Sequence, residues 1–102
     1  MPSKEFRIWI NESIYVVVDM VMIRGQIVSF VVRLMLIGSD HEDNLVRYDT
    51  SHGVPHRDTL GRRKGLIRKD WYPDVALDVV LQRAIEDCKV NYEKYLNQFI
   101  EN

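Results

Sequence analysis

At 102 residues the chain has the length of one domain, residues 1–102, small enough that burying its apolar surface is a tight matter. Its residues are 46% hydrophobic and 28% charged, the balance of a globular chain rather than a disordered one. A formal net charge of −1 excludes attachment to nucleic acid through overall charge, and a lone cysteine, Cys88, excludes an internal disulfide or a multi-cysteine zinc site.

The opening Met1-Pro2-Ser3-Lys4-Glu5 has no apolar signal core. Phe6, Ile8 and Ile10 then alternate with Arg7 and Trp9, the period of a strand, and Asn11-Glu12-Ser13 suits a tight turn. Ile14 to Arg24 is rich in Val, Ile and Tyr; Gly25-Gln26 interrupts it, and Ile27 to Ile37 resumes in the same character. Two such runs around a short glycine-containing break read as a β-hairpin. The region is apolar, yet Asp19, Arg24 and Arg33 interrupt it, and no run approaches the roughly 20 residues that cross a bilayer. A soluble, cytoplasmic protein without membrane contact is expected. Both parities of these two strands are apolar, so both faces should be covered: one by a helix, the other by a second copy of the chain in a symmetric homodimer.

Gly38 to Asp43 reads as a polar, acidic turn holding a solvated His41, and Asn44 to Asp49 as a fourth, shorter strand. At the other end, Leu77, Leu81, Ala84, Cys88, Tyr92, Tyr95 and Phe99 recur at spacings of three and four, the stripe of an amphipathic helix. Asp74 after Pro73 suits its cap, with Asp78 placing a further negative charge at the positive helix end. The expected fold is α+β: an antiparallel β-meander of about four strands with one long C-terminal helix across it.

Between meander and helix lies the densest chemistry. Arg47 to Asp58 contains Tyr48, Asp49, His52, His56, Arg57 and Asp58 around Gly53 and Pro55, and a turn after a strand is where scaffolds present working residues. Imidazole titrates near neutrality, so His52 and His56 suit proton transfer. Three roles fit. In metal-independent RNA cleavage the histidines act as base and acid, Arg57 with Arg62 or Arg63 meets phosphate charge, Asp49 orients an imidazole, and Tyr48 stacks on a base. Alternatively, Asp49, His52, His56 and Asp58 form a nitrogen–oxygen set for a divalent metal. In the third role they are structural: Asp49 and His52 cap the turn, while Arg57 and Asp58 pair at the surface. The first role needs no cofactor and no metal.

The residues that follow are basic. From His56 to Lys69 the six cations Arg57, Arg62, Arg63, Lys64, Arg68 and Lys69 face one acid, Asp58, whereas from Asp74 onward six acids outnumber three bases. Arg62, Arg63, Lys64, Arg68 and Lys69 are therefore the candidate nucleic-acid contacts, with Trp71 and Tyr72 as stacking platforms. The bland alternative is a solvated flexible loop between Gly61 and Gly65.

The pattern Tyr48-Asp49-x-x-His52-Gly53-x-x-His56 resembles a signature of small prokaryotic proteins and, more distantly, is similar to TumE-type toxins of toxin–antitoxin operons. The resemblance covers Arg47 to Gly65 and carries over only Tyr48, Asp49, His52 and His56. It implies a toxin-like protein acting on RNA or the translation machinery and neutralised by an antitoxin protein. Two functions of different class follow: an endoribonuclease using the histidine pair, or a non-catalytic protein- or nucleic-acid-binding module in which the histidine turn is structural.

Overall fold

The computed structural model describes residues 3–50 and 53–102. The fold is α+β, with an antiparallel sheet and one long helix, but the sheet has six strands rather than about four. The strands follow chain order: β1 (Ser3–Trp9), β2 (Ile14–Ile23), β3 (Gln26–Ile37), β4 (Glu42–Asp49), β5 (His56–Gly61) and β6 (Gly65–Trp71), before α1 (Leu77–Glu101). The two additional strands are the segment read as a basic block. Their apolar and β-branched residues (Thr59, Leu60, Leu66, Ile67, Trp71) are too interspersed with charge to show a clean alternation, yet Gly61 and Gly65 bracket the turn of a hairpin.

Local chemistry explains the junctions. The β2–β3 turn is Arg24-Gly25, with φ of 53° and 78°, the left-handed pair that a two-residue turn between twisted strands requires; Gln26, expected in the break, begins β3. Asn11 Oδ1 accepts from the amides of Ser13 and Ile14 and so forms the β1–β2 turn. The acidic turn is shorter than Gly38–Asp43, because Glu42 already pairs with Ile37.

In an antiparallel ladder, residues opposite one another share a face. One face carries the rows Ile8–Val16–Leu34–Val46–Thr59–Arg68 and Phe6–Val18–Val32–Tyr48–Arg57–Asp70, apolar on β1–β3 and polar towards β6. Helix α1 lies across this face over β2 to β5. The other face carries Arg7–Val17–Arg33–Arg47–Asp58–Lys69 beside Glu5–Asp19–Val31–Asp49–His56–Trp71.

That second face is where a homodimer was expected to cover apolar residues. Within the single chain, however, Tyr15 is only 4% exposed and Val17 5%. The Trp9 ring stands 4.9 Å from Tyr15, the Arg7 guanidinium lies 5.0 Å above the Tyr15 ring, and the Tyr15 hydroxyl donates to Glu42 at 2.5 Å. Val17 is flanked in register by Arg7 and Arg33, whose long stems can screen a small apolar neighbour. The burial at Tyr15 and Val17 needs no second copy.

Helix α1 buries Val80, Leu81, Ala84, Cys88, Tyr95 and Phe99; Leu77 and Tyr92 are only partly buried. Each fully buried Leu- or Phe-sized side chain contributes about 1.5–3 kcal/mol, so this face anchors the fold. Asp74 is not the cap. The helix starts from Ala76, whose carbonyl accepts from Val80, and no side chain caps it; Asp78 does sit in the first turn. At the far end the β5–β6 turn closes over the last carbonyls: Arg62 donates its amide to Phe99 O at 2.9 Å, and Arg63 and Lys64 donate theirs to Asn102 O at 3.1 and 2.7 Å. Gly61 permits that approach, since a Cβ there would come within 2.9 Å of the Asn102 backbone. Among the described residues no helix is long and apolar enough to cross a membrane.

Candidate functional site

Strands β4 to β6 hold two polar clusters on opposite sides of the sheet, and the candidate residues divide between them. Tyr48 and Arg57 point towards α1, while Asp49, His56 and Asp58 point away from it. Successive residues of a strand alternate in direction, so Tyr48-Asp49 and His56-Arg57 cannot each act as a pair on one face.

On the helix side the centre is Asp87. Its Oδ2 accepts from the Tyr48 hydroxyl at 2.6 Å and the Tyr95 hydroxyl at 2.5 Å, and its Oδ1 from Asn91 Nδ2 at 2.8 Å. Arg57 Nη1 stands 3.5 Å from the same Oδ2 and donates to Tyr95 Oη at 2.8 Å; its Nη2 donates to Asp70 at 2.7 Å. Arg68 Nε completes the set on the other Asp70 oxygen at 3.0 Å. Burial alone would raise the Asp87 carboxyl, but three donated hydrogen bonds and the Arg57 charge outweigh it and hold the group below the usual carboxylate range. The hydroxyls of Tyr48 and Tyr95 are pushed up, by burial first and then by Asp87, and stay protonated as donors. Burial also works against the Arg57 charge, and the Asp70 hydrogen bond offsets it. Asn91 takes φ −110° and ψ 18°, a break in the helical ladder where its side chain reaches Asp87. This cluster joins sheet to helix. It engages both terminal nitrogens of Arg57, whose Nε is buried without a hydrogen-bond partner, and leaves Tyr48 4% exposed.

On the open side His56 is the first residue of β5 rather than part of a turn, and it is 2% exposed. Its ring centroid lies 5.1 Å from that of Trp71, its Nε2 stands 3.7 Å from Asp58 Oδ2, and its Nδ1 lies 3.4 Å from the Val54 carbonyl. Asp58 also meets Arg47 at 3.2 Å and Lys69 at 3.4 Å, and Arg47 reaches Asp49 at 3.7 Å. His52 lies outside the described residues, so the expected convergence of His52 and His56 has no geometry to report. Among the described residues no group of three or more His, Cys, Asp or Glu side chains is placed to hold a metal ion.

The basic run has a definite place. Arg62, Arg63 and Lys64 form the exposed β5–β6 turn, with the Arg62 guanidinium 5.6 Å over the Phe99 ring and Arg63 Nη2 donating to Glu101 O at 3.2 Å. These cations suit the negative end of the helix, whose own last turn contains none. Arg68 and Lys69 alternate on β6: Arg68 faces the helix side, and Lys69 faces the open side, 5.3 Å over Trp71.

A family model described as "Domain of unknown function (DUF7718)" matches residues 1–102. The chain belongs to that family. Neither curated proteins nor solved structures yield a match. For this DUF7718 member the site therefore rests on its own geometry, which brings in residues that the pattern of residues 47–58 does not contain: Asp70, Asp87, Asn91 and Tyr95. A signal for Asp87 and Asn91 was present, since they sit three and seven residues after the buried Ala84, on the edge of the apolar stripe, where a carboxylate needs donors.

Proposed function

We propose that the chain is a non-catalytic nucleic-acid-binding module of the cytoplasm, with single-stranded RNA as its ligand and the β5–β6 hairpin as its contact. The observation that carries this reading is the segregation of positive charge in a chain of net charge −1. Arg62, Arg63 and Lys64 are exposed together at one end of the sheet, and Arg68 and Lys94 are exposed on neighbouring elements. Along β6 the cations lead to Trp71, 51% exposed, an aromatic face on which a base can stack. Tyr48, Arg57 and His56 serve the scaffold in this reading.

Affinity for a fluorescent mixed-sequence RNA, followed by anisotropy over a salt series, tests it. For single strands, log K falls with log salt by about 0.7 for each phosphate contact. Replacing Arg62, Arg63 and Lys64 together by alanine should flatten that slope by roughly 2. An unchanged slope removes the turn from the interface, and absence of binding at low salt removes the RNA reading.

One observation favours a second reading, the toxin-like ribonuclease neutralised by an antitoxin. His56 Nε2 lies 3.7 Å from Asp58, and Arg47 and Lys69 flank the same carboxylate, the components of a steered base beside cations. That reading requires EDTA-resistant formation of 2′,3′-cyclic phosphate ends, reduced about 10²–10⁴-fold in a His52→Ala/His56→Ala variant. Equal ends from wild type and variant leave only the binding module.

A further inference from the structure

We infer that the cavity between β5, β6 and α1 is a seat for a terminal phosphate group. The cavity has a volume of about 110 Å³, below the roughly 300 Å³ at which pockets begin to enclose whole small molecules, so it takes a head group and leaves the remainder of the ligand outside. Its lining brings one cation from each of three elements: Arg57 from β5, Arg68 from β6 and Lys94 from α1. Tyr95, Gln98 and Asn102 are also at its wall, and no Asp or Glu is among the lining residues.

Convergent cations and preorganisation both favour an anion. Arg57, Arg68 and Lys94 line the cavity, whereas the side-chain carboxylates that pair with the arginines, Asp70 and Asp87, do not. Lys94 makes no ion pair among the described residues; its Nζ lies 5.8 Å over the Tyr95 ring. Arg57 and Arg68 are held in place by the two oxygens of Asp70, which lowers the ordering cost of a ligand that meets them. The Phe99 and Asn102 oxygens at the helix end accept from the amides of the β5–β6 turn, which offsets part of the negative potential there. A phosphate monoester offers several acceptor oxygens to such a convergent set, and charge-assisted bonds of this kind are the strong ones.

The inference rests on the RNA-binding reading for the body of the ligand, and places an RNA 5′-phosphate beside the cations of the turn. Two oligonucleotides of one sequence, one 5′-phosphorylated and one with a 5′-hydroxyl, test it by anisotropy. The wild type should prefer the phosphorylated form about tenfold, and the preference should vanish in Arg68→Gln and Lys94→Gln, exposed positions whose substitution spares the core. In the Arg62→Ala/Arg63→Ala/Lys64→Ala variant both oligonucleotides should weaken while their ratio persists. Equal affinity of the wild type for the two ends overturns the phosphate seat and leaves RNA binding in place. If neither oligonucleotide binds, RNA is the wrong body, and inorganic phosphate titrated against thermal unfolding decides the cavity alone. A rise in Tm that Lys94→Gln abolishes upholds the seat for free phosphate; no rise, or the same rise in the variant, overturns it.

Discussion

Asp87→Ala should lower the unfolding free energy by about 3–5 kcal/mol, read as a shift of the urea midpoint at unchanged slope. The carboxylate is the common acceptor of Tyr48, Tyr95 and Asn91 and the second counter-charge of Arg57. Its removal strands two buried hydroxyls and weakens the compensation of a guanidinium that is only 17% exposed. Small domains are stable by about 5–15 kcal/mol in total, so the loss is a large fraction of the whole. Asp87→Asn retains acceptor and shape and should cost less than Asp87→Ala, a difference that separates the charge from the hydrogen bonds. The pH dependence has a defined sign. The folded-state value of Asp87 is depressed, so its contribution is present above the unfolded value of about 3.9 and is lost as pH falls through the lower folded value. Asp87→Asn should therefore flatten the acid limb of the stability profile below pH of about 4 and leave the neutral region parallel to wild type. A cost below about 1 kcal/mol for Asp87→Ala would mean that water substitutes freely for the carboxylate and that the cluster does not tie sheet to helix.

The parts of this fold that were legible in the sequence are those where one physical effect dominates. The apolar runs of β2 and β3 and the helical stripe through Leu81, Ala84, Cys88, Tyr95 and Phe99 declare themselves, because burial alone selects their residues. Strands β5 and β6 do not. Arg57, Asp58, Lys69 and Asp70 lie within them, and their burial is compensated by partners on other strands and on the helix. Charge that is solvated and charge that is neutralised across a sheet look alike in one dimension. The same limit governed the candidate site. The stretch from Arg47 to Asp58 does contain members of both polar clusters, but strand alternation sends neighbours to opposite faces, and a turn at His56 would have sent them together. Tyr48 and Arg57 thereby part from Asp49, His56 and Asp58. The long-range partners explain the rest: Asp87 lies 39 residues from Tyr48 and 30 from Arg57, a separation at which no local pattern operates.

Leu81→Ala should cost about 2–5 kcal/mol, while Val90→Ala on the same helix should change stability by no more than about 0.5 kcal/mol. Leu81 is 5% exposed and belongs to the cluster that joins α1 to Val32, Leu34 and Val46; Val90 is 66% exposed. The cost at Leu81 combines the lost transfer of its methyl groups with the cavity they leave, and the sheet beneath cannot collapse into it without breaking its ladder. The comparison also bears on function, because α1 carries Asp87, Lys94 and Tyr95 to β5 and β6. At a temperature where the Leu81→Ala protein remains folded, the preference for a 5′-phosphate should survive, since α1 still places Lys94 beside Arg57 and Arg68. Chemical denaturation gives the stability and anisotropy gives the preference. Loss of stability with the preference retained separates the apolar anchor of the helix from the charged end it positions. A cost near zero at Leu81 would instead mean that α1 is held by the Asp87 cluster and the Asn102 turn contacts, and that its apolar stripe contributes little.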